Sequence, residues 1–308
     1  GGPAGALAGH QGAVLAVKFS ANGAYCLTCG KDRTVRLWNP SRGLLVKTYA
    51  GTHAHEVRDV CCTRDNAKVG SCGGDRQVFL YDVSTGRTLR KFRGHDAANV
   101  NACAFGGEAC GDSVLFSAGF DATVRAWDCR SQSAEAIQVL RDFKDSVTAI
   151  AVRDCEVVAA SVDGTVRTFD IRTGKVAADA FGQTPVTSVA LSHDGQCLLA
   201  GLLDDRAALL DRASGELLAE YRGHRNKKFK MDACFTHDDA YVISGSECGR
   251  VFFWDLVEQT VARSFDAVAW NGGHGGAPKG AALTVLAWHP KGHYLLTAAA
   301  NGNVLLWK

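Results

Sequence analysis

The 308-residue chain has no run of about 18 consecutive apolar residues, so nothing in it reads as a membrane-spanning helix. It also lacks an excess of one charge, since 34 basic and 32 acidic residues leave a net +2. That removes the global field by which a strongly basic protein gathers nucleic acid or an anionic membrane surface. No segment carries the 3.6-residue apolar rhythm of an amphipathic helix. The Gly-rich stretch at 271–280 lacks the Gly-Lys-Ser/Thr ending and the strand-to-helix setting of a phosphate-binding loop, and it reads as a surface loop. Gly1–Ala6 show neither the basic start nor the apolar core of a signal peptide. Because the first residue is not Met, residues are expected to precede it.

Metal and redox signatures are missing too. There are 12 cysteines, but Cys26 and Cys29 form a lone CxxC with no second pair at zinc-ribbon spacing. His53, His55 and Glu56, and separately His289 and His293, cluster without an evident third ligand. No metal and no cofactor are expected. Cys26, Cys61, Cys103, Cys197 and Cys234 fall in the apolar rhythm of strands and are expected to be small buried hydrophobes in a reducing, intracellular setting.

What the sequence does have is a repeat. One aromatic or apolar position recurs as Trp38, Tyr81, Trp127, Phe169, Leu210, Trp254 and Trp307, at intervals of 43, 46, 42, 41, 44 and 53 residues. Asp, Asn or Lys follows each. Six positions earlier stand Asp32, Asp75, Asp121, Asp163, Asp204, Cys248 and Asn301. Ten positions earlier stand Thr28, Ser71, Ser117, Ala159, Ala200, Ser244 and Thr297. His10, His53, His95 and His224, each preceded by Gly or Thr, open four of the units. A period near 40–45 residues is that of a four-stranded propeller blade.

Within unit one, alternation and β-branching predict strands at Val14–Phe19, Tyr25–Cys29, Thr34–Trp38 and Leu44–Tyr49, joined by short turns. Turns this short make consecutive strands antiparallel neighbours. The order repeats over Val57–Phe92, Val100–Leu140, Val147–Phe181, Val186–Tyr221 and Met231–Phe265, and unit three carries an extra loop at Gly106–Asp112. The last unit begins near Leu283 and reaches Lys308 without a fourth strand. Pro3–Ala8 are expected to supply it, since an unclosed ring exposes long sheet edges. The expected fold is therefore all-β. It is a seven-bladed β-propeller formed as one domain over 1–308, with four antiparallel strands per blade and the Gly-rich loop between blades six and seven.

The polar columns have a structural use. A His, a hydroxyl, an Asp and a Trp can satisfy one another as a hydrogen-bond chain inside a blade. The expected members are His10, Thr28, Asp32 and Trp38; His53, Ser71 and Asp75 with Tyr81; His95, Ser117, Asp121 and Trp127; and His224, Ser244 and Trp254, where Cys248 replaces the Asp. Ser, His and Asp together also invite a hydrolase reading. The trio recurs in several units with its hydroxyl inside a strand, so it reads as structure, with no catalytic residue expected.

These columns resemble those of WD-repeat β-propellers over essentially the whole chain. The runs Tyr25–Gly30, Arg36–Pro40, Arg90–His95, Gly195–Cys197, Glu220–Asn226 and Val251–Glu258 further resemble the mitogen-activated protein kinase organiser family of WD-repeat scaffolds. Cys248, where that family has Asp, and the loop at 271–280 depart from it. The resemblance implies a non-catalytic adaptor found in cytoplasm and nucleus, likened to a monomer working inside larger complexes. Implied partners are kinase-cascade components, a prolyl hydroxylase of oxygen sensing, or spliceosomal proteins, with RNA association only indirect. The alternative is a substrate-receptor propeller, as in a ubiquitin ligase, reading one peptide or modified residue through its pore.

Contact residues are expected on the rim that carries the Asp turns. Arg225, Lys227, Lys228 and Lys230 surround Phe229 in one loop, and Lys31, Arg33, Arg76 and Phe120 flank Asp positions. Such a basic, aromatic-dotted patch suits an acidic protein segment better than RNA, because no RNA-binding motif accompanies it.

Overall fold

Short turns fix the architecture strand by strand. A computed structural model describes residues 2–96, 99–107, 110–268, 281–298 and 301–308. It contains seven sheets of four antiparallel strands, each running in sequence order from the channel outward in blades one to six. Blade one comprises β2 (Val14–Phe19), β3 (Cys26–Gly30), β4 (Val35–Asn39) and β5 (Leu44–Tyr49). Two of these begin one residue later than the sequence pattern suggests. The loop expected at 271–280 lies outside the described residues. No helix of the described residues is long and apolar enough to cross a membrane.

The seventh sheet draws on both ends of the chain. Its order is β1 (Gly5–Leu7), β28 (Val304–Trp307), β27 (Leu295–Ala298) and β26 (Val285–Trp288). Gly5 pairs with Leu306 and Leu7 with Val304, and Ala4 N–H donates to Leu306 O at 2.7 Å. Leu7 is 1% exposed and packs with Val14, Cys26 and Trp38 of blade one. The weak strand former Gly-Ala-Leu is thus held by tertiary pairing and by one buried side chain, which outweighs local propensity.

Apolar packing lies between blades. Seven clusters of buried side chains sit one at each seam, such as Leu27, Leu37 and Tyr49 of blade one against Val60 and Val69 of blade two. Cys26, Cys61 and Cys103 are buried as expected, whereas Cys197 and Cys234 are only half-buried. Cys197 is the first residue of its strand, and Cys234 lines the channel. All twelve thiols are free.

The inner strands carry a feature that the sequence reading did not anticipate. In blades one to five the pairing skips a residue after the first Val, at Leu15, Arg58, Asn101, Thr148 and Thr187. Each is a β-bulge, which re-aims a side chain and bends the strand. Here the bulges stitch neighbours together at the channel mouth. Arg58 Nη1 donates to Asn101 Oδ1 at 3.2 Å, Asn101 Nδ2 to Val147 O at 2.8 Å, and Thr148 Oγ1 to Val186 O at 2.7 Å. One level deeper, Asp59 Oδ2 accepts from Lys18 Nζ of blade one and Cys103 N–H of blade three, both at 2.9 Å. A single carboxylate so ties three blades.

Truncating Leu7 to Ala is expected to cost about 2–4 kcal/mol, as for a fully buried leucine, and to lower the urea midpoint accordingly. An unchanged midpoint would show that β1 does not hold the ring shut.

Candidate functional site

The rim is built from one turn used seven times. The residue after each Asp-column position is left-handed: Arg33 (φ 63), Arg76 (64), Ala122 (56), Gly164 (81), Asp205 (66), Gly249 (82) and Gly302 (82). Glycine takes this conformation without strain, so Arg33 and Arg76 hold their charges at a conformational cost. The preceding carboxylate caps the turn. Asp32 Oδ1 accepts from Thr34 N–H at 3.1 Å, and Asp121 Oδ1 from Thr123 Oγ1–H at 2.8 Å.

Behind the turn lie the hydrogen-bond chains. In blade one, His10 Nδ1 lies 2.9 Å from Asp32, His10 Nε2 2.6 Å from Thr28 Oγ1, and Trp38 Nε1–H donates to Thr28 Oγ1 at 2.8 Å. Blade three repeats this through His95, Asp121, Ser117 and Trp127, with distances of 2.9, 2.8 and 2.8 Å. Blade two has His53 2.9 Å from Asp75 and 2.7 Å from Ser71, whose hydroxyl lies 3.3 Å from Tyr81 Oη. Acceptor-only carboxylates place the imidazole proton on Nδ1 and leave Nε2 to accept from the hydroxyl. Burial would raise the carboxyls of Asp75 and Asp121, but their histidine partners, helped by the Ala54 and Gln77 amides at Asp75 and by Thr123 and Arg125 at Asp121, hold both below the usual carboxylate range. The hydroxyls of Thr28, Ser71 and Ser117 belong to residues that are 0% exposed. A substrate carbonyl has no path to them, so the trio holds the blade and is not a nucleophile with its base.

The remaining blades vary the device. In blade four Phe143 stands where the histidine would be. Its ring packs 5.7 Å from that of Phe169, and the Arg167 guanidinium lies 4.8 Å above it. In blade seven Trp307 Nε1–H donates to Thr297 Oγ1 at 2.8 Å.

Blade six departs from the expected chain, and the expectation for His224, Ser244 and Trp254 is corrected. Trp254 Nε1–H donates to Arg222 O at 2.9 Å, and Ser244 Oγ–H turns to Gly245 O at 3.2 Å. Cys248 Sγ lies 3.1 Å from Ser246 Oγ. With no carboxylate at 248, His224 Nδ1 is buried without a partner. Burial pushes the His224 imidazole down to about 4.

All nine rim residues singled out from sequence are exposed, with Phe120 at 52% and Phe229 at 49%. They are not one patch. Arg225 Nε lies 3.6 Å from Glu247 Oε2 and Lys227 Nζ 3.1 Å from Asp205 Oδ2, so two of the charges are already matched. The same carboxylates grip the loop backbone: Lys227 N–H donates to Glu247 Oε1 and Asn226 N–H to Asp205 Oδ1, each at 2.7 Å. Lys31, Arg33, Arg76, Lys228 and Lys230 form no ion pair among the described residues. Lys31 and Lys230 meet at the upper channel mouth, a cavity of about 190 Å³ that Arg58 also lines. Arg58 escaped the sequence reading because its bulge hides it in strand alternation; the recurring Val-x-small start of the inner strands was the available signal.

Comparison with known proteins agrees with this geometry. The family model "WD domain, G-beta repeat" matches residues 1–39, 86–128, 215–255 and 272–308. The WD repeat domain-containing protein 83 of Rattus norvegicus is 46% identical over 299 residues, covering 97% of this chain and 89% of that protein. The Homo sapiens protein of the same name is 45% identical over the same shares. A Dictyostelium discoideum homolog is 28% identical over 98% of this chain and 96% of its own.

Two substitutions probe the chains. Asp121→Ala is expected to lower stability by about 1–3 kcal/mol, because His95 and the turn amides lose their acceptor. Cys248→Asp should stabilise blade six and change its pH response. A depressed histidine favours the native state above the unfolded pKa of about 6.5 and is lost as pH falls toward 4. Supplying a carboxylate to His224 should therefore stabilise by about 1 kcal/mol more at pH 5.5 than at pH 7.5. Equal gains at both pH values, read from urea unfolding, would show that residue 248 does not reach His224.

Proposed function

The chain belongs to the WD repeat domain-containing protein 83 family, the mitogen-activated protein kinase organiser family, and on that premise we propose that its upper rim docks acidic segments of protein partners. The propeller is a protein-interaction scaffold, of a family that is generally non-catalytic. The observation that carries the rim reading is the set of unmatched cations, Lys31, Arg33, Arg76, Lys228 and Lys230, interleaved with the half-exposed rings of Phe120 and Phe229. Their backbones are already fixed by capped turns and by Asp205 and Glu247, so docking orders little more than side chains. Aromatic and arginine anchors on a rigid frame are the residue types that dominate interface energetics.

The partners fitting this reading are those of the family: kinase-cascade components, a prolyl hydroxylase and spliceosomal proteins, met in cytoplasm and nucleus. A receptor reading one modified residue at the upper mouth fits less well, because charged side chains line that mouth and, among the described residues, no aromatic ring does.

The test is affinity purification with and without RNase, followed by mass spectrometry. It compares the native chain with a Lys31→Glu, Arg76→Glu, Lys228→Glu triple variant. Recovery that resists RNase and falls about tenfold in the variant, at unchanged thermal stability, is expected; each about 1.4 kcal/mol lost at an interface is one decade. Undiminished recovery of every partner by the triple variant would retire the rim.

A further inference from the structure

Asp59 and Asp232 occupy the same level of the channel wall. Each precedes the inner-strand residue that pairs with the hydroxyl column, Val60 with Ser71 and Ala233 with Ser244. Asp59 is fully matched, by Cys103 N–H from the next blade and by the Lys18 ammonium from the previous one. Asp232 stands in register with the first half, since Leu286 of blade seven pairs with Thr297 as Cys103 pairs with Ser117. The second half is missing. The position in blade five that corresponds to Lys18 is Ala190, since Lys18 pairs with Leu27 and Ala190 with Leu199, one place after the hydroxyl-column pair in each blade. Lys230 and Lys18 act on Asp232 only at a distance, and among the described residues none forms an ion pair with it.

A second polar group waits at the same level. Ser188 of blade five is 4% exposed and its Oγ has no partner. Ser188 and Asp232 line a channel cavity of about 390 Å³, together with the small side chains Ala190, Cys234 and Ala287; the Lys18–Asp59 pair and Lys230 line it too. Below, a wider cavity of about 630 Å³ shares Ala190, Cys234 and Trp288 with the channel. At its entrance the rings of Trp288 and His237 stack at 18° with centroids 6.4 Å apart, and Lys291 lies on its edge. From below the channel therefore offers an aromatic entrance, an apolar passage, and then a carboxylate with a hydroxyl.

We propose that the lower channel mouth receives a lysine side chain of a partner protein, with its stem against Ala190, Cys234 and Ala287 and its ammonium between Asp232 and Ser188. Lys18 already shows this pairing inside the molecule. A lysine has an apolar stem and a charged head, which matches small apolar walls ending in a carboxylate. Two strand residues, about 7 Å, separate the level of Asp232 from that of Cys234. An extended lysine reaches about 6 Å from Cα to Nζ, and a hydrogen bond closes the rest. Asp232 also lines the upper mouth, where Lys31, Arg58 and Lys230 outnumber it and Glu56, so an ammonium is favoured less from above than from below. Burial pushes the Asp232 carboxyl up, and an incoming ammonium favours its ionised form. Lys31 and Lys230 of the rim share the upper mouth with Asp232, whereas Arg76, Phe120 and Lys228 line neither channel cavity, so the two proposals are tested through different residues.

The test titrates the full chain with the capped tripeptide acetyl-Gly-Lys-Gly-amide by ligand-observed NMR, beside the same tripeptide carrying Nε-acetyllysine. Saturable binding of the free lysine with a Kd near about 1 mM is expected. Acetylation or Asp232→Asn should weaken it about tenfold and Ser188→Ala about threefold, as a charged partner and a single hydroxyl would. Asp232→Asn keeps the size and shape of the side chain, which protects the fold. Ala190→Leu, which narrows the passage without touching charge, should also abolish binding, and an Arg76→Glu, Lys228→Glu double variant should leave it unchanged. Non-saturating titration, equal affinity for the acetylated probe, or full binding by a folded Asp232→Asn or Ala190→Leu variant would overturn the proposal.

Discussion

Everything in this molecule depends on closing a ring. Seven sheets packed face to face bury their apolar sides only if the last meets the first, and three residues near the start of the chain do that work. The Gly5–Leu306 and Leu7–Val304 pairs join strands almost 300 residues apart. Because Leu7 also packs on Trp38, the joint is apolar as well as hydrogen-bonded. Without it the seams still exist, but nothing commits them to one curvature.

The repeat was legible because its polar columns are costly to bury unless all members are present. Thr28, Ser71 and Ser117 would be unexplained inside strands were it not for His10, His53 and His95. Even the closing strand followed from the missing edge of the last unit rather than from its own residues. What resisted reading were contacts between units. That Asp205 and Glu247 neutralise Lys227 and Arg225 depends on loops from neighbouring blades meeting, which no spacing within one unit reveals. The bulge that turns Arg58 to the channel breaks the alternation by which its direction would be inferred. Cys248 was visible as a substitution, but its effect was not, since Trp254 and Ser244 found backbone acceptors instead.

The rim and the channel use charge differently. On the rim, carboxylates point inward to hold turns and leave cations facing solvent, where screening makes each worth little alone and more as a group. In the channel, ammonium and carboxylate are matched at Asp59 and unmatched at Asp232. A near-neutral chain can thus present strongly local fields, which is why its net charge said so little about its surfaces.

The complete hydrogen-bond chains occupy blades one, two and three, and the Asp59 tie spans the same three blades. Among the described residues no full chain is seen in the other four blades, and in blade six Cys248 stands in the Asp column. The buried His–hydroxyl–Asp bracing is therefore gathered in one arc of the hoop, and the opposite arc rests on apolar seams and strand pairing at those positions.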